Sequence, residues 1–274
     1  MRRARVVTQL VVWVTRALYA VMGWRIDMRH GHLLPATGPV VVAAKVVAAN
    51  HVSHLDPLHL GVSIVGLRGD VAFMGKRELF RHPVTGPLLR AMRQIEVDRG
   101  GDASDALQPA VEALRDGRAI AVFPEGTITT SFVPSPPRLG AARMALAAGA
   151  PIVPAAVWGG QRVMTKGRSE LRFPYRRTRG VVMTVTFGAP ITPEVGEDPS
   201  HLMARVWAAV GHLSEQAARD YPHQPDGTDD RWWVPAHMGG TAPSPAEALQ
   251  LRNEEAAARR ERRAAEQAPT SLSG

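Results

Sequence analysis

Cysteine is absent from the 274 residues, which removes a thiol nucleophile and any disulfide framework from consideration. Lysine is nearly absent as well. Lys45, Lys76 and Lys166 stand against thirty arginines, an imbalance that reflects the composition of the genome more than a purpose-built cationic patch. The formal charge of +8 favours anionic partners such as acidic lipid headgroups, CoA phosphates or nucleic acid, and the arginine bias weakens that inference. Aromatic residues make up only 5% of the chain, and the charges do not cluster on one recognisable reader. That excludes the stacking platforms of a nucleic-acid reader. What remains is 45% hydrophobic, enough for one large α/β domain with appendages.

Against this background Asn50-His51-Val52-Ser53-His54-Leu55-Asp56-Pro57 is the most informative segment. Residues 40–49 before it are almost purely apolar and β-branched, the pattern of a strand covered on both faces of a parallel sheet. Asp56 followed by Pro57 is a helix-start signal, with Asp56 as N-cap and the helix beginning at 57. His51 then lies at the carboxyl end of a strand and Asp56 at the next helix, around the crevice where open α/β sheets bind ligands. A carboxylate on one imidazole nitrogen fixes the tautomer and leaves the other nitrogen free to take a proton. Taken alone, the five-residue spacing equally describes a loop histidine followed by a helix cap.

Three further segments follow the same plan. Ala119–Val122 runs into Phe123-Pro124-Glu125-Gly126-Thr127. Ile95-Glu96-Val97 leads to Asp98-Arg99-Gly100-Gly101, where a planar guanidinium suited to phosphate is backed by glycines that let backbone approach an anion. Pro151–Val157 is a buried strand punctuated by Pro154.

In this order the four segments resemble the blocks of the glycerolipid acyltransferases, specifically the 1-acylglycerol-3-phosphate acyltransferases, over roughly residues 35 to 195. The first block matches at Asn50, His51, Ser53, Leu55 and Asp56, the second at Arg99, the third at Phe123 to Thr127, and the fourth at Pro154. Lys76-Arg77-Glu78-Leu79 with Pro83 and Gly86, and Gly140 to Ala148, match as well. The resemblance implies His51 as general base, Asp56 as its orienting carboxylate, and substrate contacts from Asn50, Ser53, Lys76, Arg99, Glu125, Gly126, Thr127 and Pro154. It implies acyl-CoA or acyl carrier protein as donor and a lysophospholipid as acceptor, with no metal and no organic cofactor. Two positions depart from the pattern. Ile128 stands where the family carries an arginine, with Arg138 and Arg143 as the nearby cations, and Lys45 interrupts a duplicated Val-Val-Ala-Ala run. Lys45 is expected to mark a bulge or a lengthened, exposed strand start.

The fold expected is α/β, a mostly parallel central sheet flanked by helices, preceded by an amphipathic membrane-associated helix. Strands are expected at Val71–Met74 and Val181–Phe187, helices at Ala103–Arg115, Arg138–Ala148 and His201–Arg219, and loops at 128–137 and 166–180. In the first helix Arg2, Arg5, Gln9 and Arg16 fall on one stripe, while Val6, Leu10, Trp13, Val14, Leu18 and Trp24 lie outside it. That is the pattern of a helix lying in a membrane interface. Arg16 breaks the apolar run that a spanning segment or a signal peptide needs. Packing of the apolar face on the protein's own sheet is the alternative. The reading is therefore residues 1–30 as interfacial helix, 31–221 as catalytic domain, and 222–274 as linker and partly disordered helical tail. The corresponding location is peripheral or monotopic on the cytoplasmic face of the cell membrane. A different lysophospholipid or glycolipid acceptor, or a basic lipid-binding protein without catalysis, remains the competing function. His54 and His59 lack metal-ligand spacing and read as structural.

Overall fold

A strand that is apolar at every position has no solvent face to offer, and β2 (Lys45–Ala49) shows why. Val46 and Ala48 point into one core, with α5 (Gln108–Arg115), α6 (Gly140–Ala148) and α7 (Pro199–Arg219). Val47 and Ala49 point into the other, with α2 (Asp56–Arg68). The two-residue period divides each central strand between the two layers. In the computed structural model, which describes residues 2–34, 45–97, 107–171 and 178–267, the sheet has seven strands in the order β1-β9-β6-β2-β5-β3-β4. Besides β2 these are β1 (Arg25–Arg29), β3 (Ala72–Lys76), β4 (Ile95–Val97), β5 (Ala119–Val122), β6 (Ile152–Trp158) and β9 (Val182–Phe187). β6, β2, β5, β3 and β4 run parallel, whereas β9 pairs with β6 antiparallel and carries β1 parallel to itself.

The expected elements are present, with revisions at their ends. Residues 98–106 lie outside the described region, so the helix expected from 103 is described as Gln108–Arg115. Lys45 is neither in a bulge nor exposed. It opens β2 in regular register with Ala119, and its side chain is buried. Part of the expected 166–180 loop is a hairpin of β7 (Met164–Thr165) and β8 (Arg168–Ser169), while Arg172, Arg176 and Arg177 fall outside the described residues. Pro154 sits in a central strand, where proline is uncommon because it cannot donate to the ladder. Gly188 approaches it so closely that an added Cβ would lie 2.9 Å from the proline ring.

The N-terminal helix α1 (Arg2–Met22) packs on α2 with an unusual orientation. Its inward side carries Thr8, Val12, Thr15 and Tyr19, all buried, and the Arg5 and Arg16 guanidinium groups lie along α2 beside Gly69 and Gly66. Its outward side carries Val6, Leu10, Trp13, Val14, Leu18 and Val21, all exposed. Packing of the apolar face on the protein's own sheet is thereby ruled out. The far end of the chain is tied down by cation–π contacts, with Arg162 4.7 Å from the centre of the Trp233 ring and Arg168 3.9 Å from that of Trp232. Helix α8 (Pro245–Gln267) then pairs Glu255 with Lys166 beside the β7–β8 hairpin.

Candidate active site

Because Ala48 is paired with Val122 and Ala49 with Ala155, the chain leaves β2 and β5 side by side at the carboxyl edge of the sheet, next to the still-extended β6. That register is what brings the first and third sequence blocks together. Asn50 spends its amide on β6: Oδ1 accepts from the Val157 N–H at 2.8 Å and Nδ2 donates to the Val157 carbonyl at 3.1 Å. The side chain thus extends the sheet one residue beyond β2.

His51 follows with both of its peptide groups held by the segment after β5. Its N–H donates to Glu125 Oε1 at 2.8 Å, and its carbonyl accepts from the Thr129 N–H at 2.9 Å. The imidazole lies on the Phe123 ring, centroids 4.2 Å apart and planes 19° from parallel. Its Nδ1 is 2.9 Å from Asp56 Oδ2, and its Nε2 has no hydrogen-bond partner among the described residues. The Phe123 ring in turn faces Phe73 of β3 at 6.3 Å.

Asp56 is fully buried, and the helix-cap expectation needs correction: Leu55 is the N-cap of α2, which begins at Asp56 itself. The carboxylate points back into the turn, where Oδ2 also accepts from the Val52 N–H at 2.7 Å and the Ser53 N–H at 2.8 Å. Oδ1 faces Nε2 of the buried His59 at 3.4 Å, outside hydrogen-bonding geometry. Burial alone raises the Asp56 pKa, but the hydrogen bond from His51 and the nearby positive charge of His59 and His51 outweigh it and hold the carboxyl below its ordinary value. His59 is the residue that sequence reasoning passed over. Its three-residue spacing from Asp56 on one helix was the available signal.

The turn itself is clamped from the far side. Ser53 Oγ donates to the Met164 carbonyl at 2.6 Å, and Thr165 Oγ1 donates to the Val52 carbonyl at 2.7 Å. Gly160 closes the wall, since a Cβ there would lie 2.9 Å from the Ser53 Cβ and 3.1 Å from His59.

Glu125 is fully buried with both oxygens engaged, Oε1 by His51 and Oε2 by the Ser135 N–H at 2.9 Å and hydroxyl at 2.6 Å. Burial pushes its pKa up to about 7, against the opposing pull of those hydrogen bonds. In the protonated form the Ser135 hydroxyl can accept from Oε2, so the neutral acid fits the same partners. Because the native pKa lies above the ordinary carboxylate value, the native state binds a proton more tightly than the unfolded chain. Stability from this group is complete below about pH 4.5 and is lost as pH rises through about 7, by roughly 3 kcal/mol for a shift of this size. We expect urea unfolding to show a larger drop between pH 5 and pH 8 for the wild type than for Glu125→Gln. Equal drops would refute this assignment.

Gly126 takes a left-handed φ of 71°, and the Arg138 guanidinium lies over it, with Nε 3.0 Å from where a Cβ would stand. Arg138 is exposed and makes no side-chain hydrogen bond or ion pair with a described residue. Ile128 is buried, and Arg143 is exposed on α6. Thr127 is half-buried beside Gly126, Pro154 is buried in β6 in register with Ala48, and Lys76 is exposed at the end of β3. Arg99 lies outside the described residues. No three acidic, histidine or cysteine side chains among the described residues gather as a metal site.

The Acyltransferase family model matches residues 25–158, the stretch from β1 to the end of β6 that holds His51, Asp56, Glu125 and Arg138. Residues 25–158 are thus similar to the acyltransferase family. The 1-acyl-sn-glycerol-3-phosphate acyltransferase of Bacillus subtilis (strain 168) is 32% identical over 129 residues, 46% of this chain and 63% of its own length. A probable 1-acyl-sn-glycerol-3-phosphate acyltransferase of Mycoplasma pneumoniae is 28% identical over 183 residues, covering 65% of this chain and 68% of that one. The chain therefore spans about two thirds of the length of these relatives. Among solved structures, the 1-acyl-sn-glycerophosphate acyltransferase of Thermotoga maritima superposes with a TM-score of 0.62 at 18% identity, over 79% of this chain and 81% of that chain. The chain thus shares the fold of that structure, with its mostly parallel sheet and flanking helices.

Proposed function

We propose that the protein is a 1-acylglycerol-3-phosphate O-acyltransferase. It moves a fatty acyl group from a thioester donor, acyl-CoA or acyl carrier protein, to the free hydroxyl of 1-acylglycerol-3-phosphate to give phosphatidic acid. The observation that carries this reading is the His51 Nδ1 to Asp56 Oδ2 contact at 2.9 Å, made by a histidine whose peptide groups are both fixed and whose second nitrogen is unengaged. His51 Nε2 takes the proton of the acceptor hydroxyl as its oxygen attacks the thioester carbonyl. Asp56 holds the tautomer and offsets the charge of the imidazolium. Collapse of the tetrahedral intermediate expels the thiolate, which recovers the proton from His51. The products are a new ester and a free thiol.

Asn50, Ser53 and Glu125 serve this reaction as positioning residues, because their polar atoms are occupied by Val157, Met164, Ser135 and the backbone of His51. Acceptor phosphate is assigned to Arg99 together with Arg138, whose guanidinium beside Gly126, without an ion-pair partner among the described residues, takes over from the arginine missing at Ile128. A groove of about 430 Å³ between α1 and α2, lined by Tyr19, Trp24, Ile26, Val62 and Leu67, supports a place for an acyl chain. The exposed apolar side of α1 supports docking on the cytoplasmic face of the membrane, where such substrates reside.

The test is acyl transfer by the purified protein, offering lysophosphatidic acid beside neutral-headgroup lysolipids, each with acyl-CoA and with acyl carrier protein. Transfer to lysophosphatidic acid is expected to exceed the others, and Arg138→Gln to raise its KM selectively. Absence of transfer to every acceptor from both donors would overturn the reading.

A further inference from the structure

Immediately after β3, at the same sheet edge as His51, the chain forms two short helices, α3 (Arg77–Arg81) and α4 (Thr85–Ala91), before returning in β4. The pair is rigid at its base. Phe80 is buried against Gly75, the Thr85 hydroxyl donates to the Leu79 carbonyl at 2.7 Å, and the Gly86 N–H donates to the His82 carbonyl at 2.9 Å. Gly86 permits the helices to meet, since any Cβ there would fall 2.1 Å from the Phe80 carbonyl oxygen.

A hairpin held this firmly nevertheless turns large apolar side chains outward. Leu79, Val84 and Leu88 are 49%, 73% and 41% exposed. Val84 and Leu88 are one turn apart on a single stripe. On the same two helices stand Arg81 and Arg90, both exposed and neither in an ion pair with a described residue. Among the described residues of this stretch the acidic ones are Glu78 and Glu96, and Glu96 pairs with Arg77 at 3.3 Å. Helix α1, with its exposed apolar side, packs directly against α4. Apolar tips with exposed arginines on the same helices match a bilayer whose headgroups carry negative charge.

We propose that the α3–α4 hairpin is a second membrane footing, in which Leu79, Val84 and Leu88 enter the headgroup layer of an anionic bilayer and Arg81 and Arg90 bind lipid phosphates. The proposal rests on reading α1 as an interfacial helix and extends it to residues remote from α1 in sequence. Because α4 packs against α1, the hairpin widens the membrane contact from α1 toward the carboxyl edge of the sheet. His51 then opens to the surface from which a lysolipid must arrive.

The experiment is flotation of the full chain with vesicles of phosphatidylcholine alone and of a phosphatidylcholine and phosphatidylglycerol mixture. Three surface double variants are compared: Arg81→Gln with Arg90→Gln, Val84→Ser with Leu88→Ser, and Trp13→Ser with Val14→Ser in α1. The arginine pair is expected to lower partitioning onto the anionic vesicles by about fivefold per residue while leaving the neutral vesicles unaffected. The Val84 and Leu88 pair is expected to lower both. Transfer to a monomeric short-chain lysolipid without vesicles should stay at the wild-type rate in all three. Wild-type partitioning of either hairpin pair onto anionic vesicles, with the α1 pair impaired, overturns the second footing. So does a raised KM for acyl carrier protein in the arginine pair with vesicle binding intact, which assigns the patch to an acidic protein. Wild-type binding by the α1 pair as well overturns the membrane reading as a whole. The expected binding pattern from a chain that transfers no acyl group leaves the footing standing and removes the enzymatic reading instead.

Discussion

Alanine at position 51 is expected to lower kcat/KM for acyl transfer by about 10² to 10⁴-fold, the range that a positioned acid–base group supplies. The imidazole is needed when the hydroxyl proton moves, so the loss falls on kcat, with KM for the acceptor nearly unchanged. The fold should survive the change. The anchors of His51 are its own N–H and carbonyl, bonded to Glu125 and Thr129, and both remain in an alanine chain. Asp56 keeps the Val52 and Ser53 N–H groups, so its charge is not left bare. Circular dichroism and thermal unfolding should therefore match the wild type closely while phosphatidic acid formation collapses. A folded His51→Ala protein with a rate within tenfold of wild type would sink the assignment of His51 as general base.

Periodicity carried the sheet, because strands covered on both faces are apolar at every position, and β2, β5 and β6 are apolar runs of that kind. The pairing of His51 with Asp56 was legible for a related reason: a strand end followed within five residues by a helix start leaves the chain little choice but to fold the two together. What was not legible depends on tertiary register. That Glu125 would spend both oxygens on the His51 N–H and on Ser135 follows only from β2 and β5 ending level, which no local pattern encodes. Burial of Lys45 contradicted the ordinary cost of enclosing a cation, so the exposed start was the natural expectation. The N-terminal helix shows a different gap. Its stripe of polar residues was visible, but which side met the protein was not: the inward side carries Thr8 and Thr15 together with Val12 and Tyr19, while Arg5 and Arg16 stay exposed and reach along α2.

The second large effect is expected at Asp56, and it decides between orienting carboxylate and simple helix punctuation. Asparagine and aspartate are equally good at the start of a helix. If Asp56 only punctuated α2, Asp56→Asn would be silent. The structure argues otherwise. Oδ2 serves His51 Nδ1 and two backbone N–H groups at once, and the amide oxygen of asparagine can occupy that position with its nitrogen toward His59. Geometry is thereby largely kept while the charge that offsets the imidazolium is removed. Asp56→Asn should lose turnover on the order of 10²-fold or more with a stability loss of only about 1 kcal/mol. Asp56→Ala strips a partner from all three donors in a site closed to water, at about 1 to 3 kcal/mol for each one left unsatisfied, so it should lose stability as well as activity. The native carboxyl lies below its ordinary pKa, so its contribution is present above the unfolded value and disappears as pH falls through the native one. Asp56→Asn should therefore blunt the acid limb of a stability profile. A turnover within a few-fold of wild type in Asp56→Asn, with that limb unchanged, would leave the carboxylate as punctuation and return His51 to an ordinary loop residue.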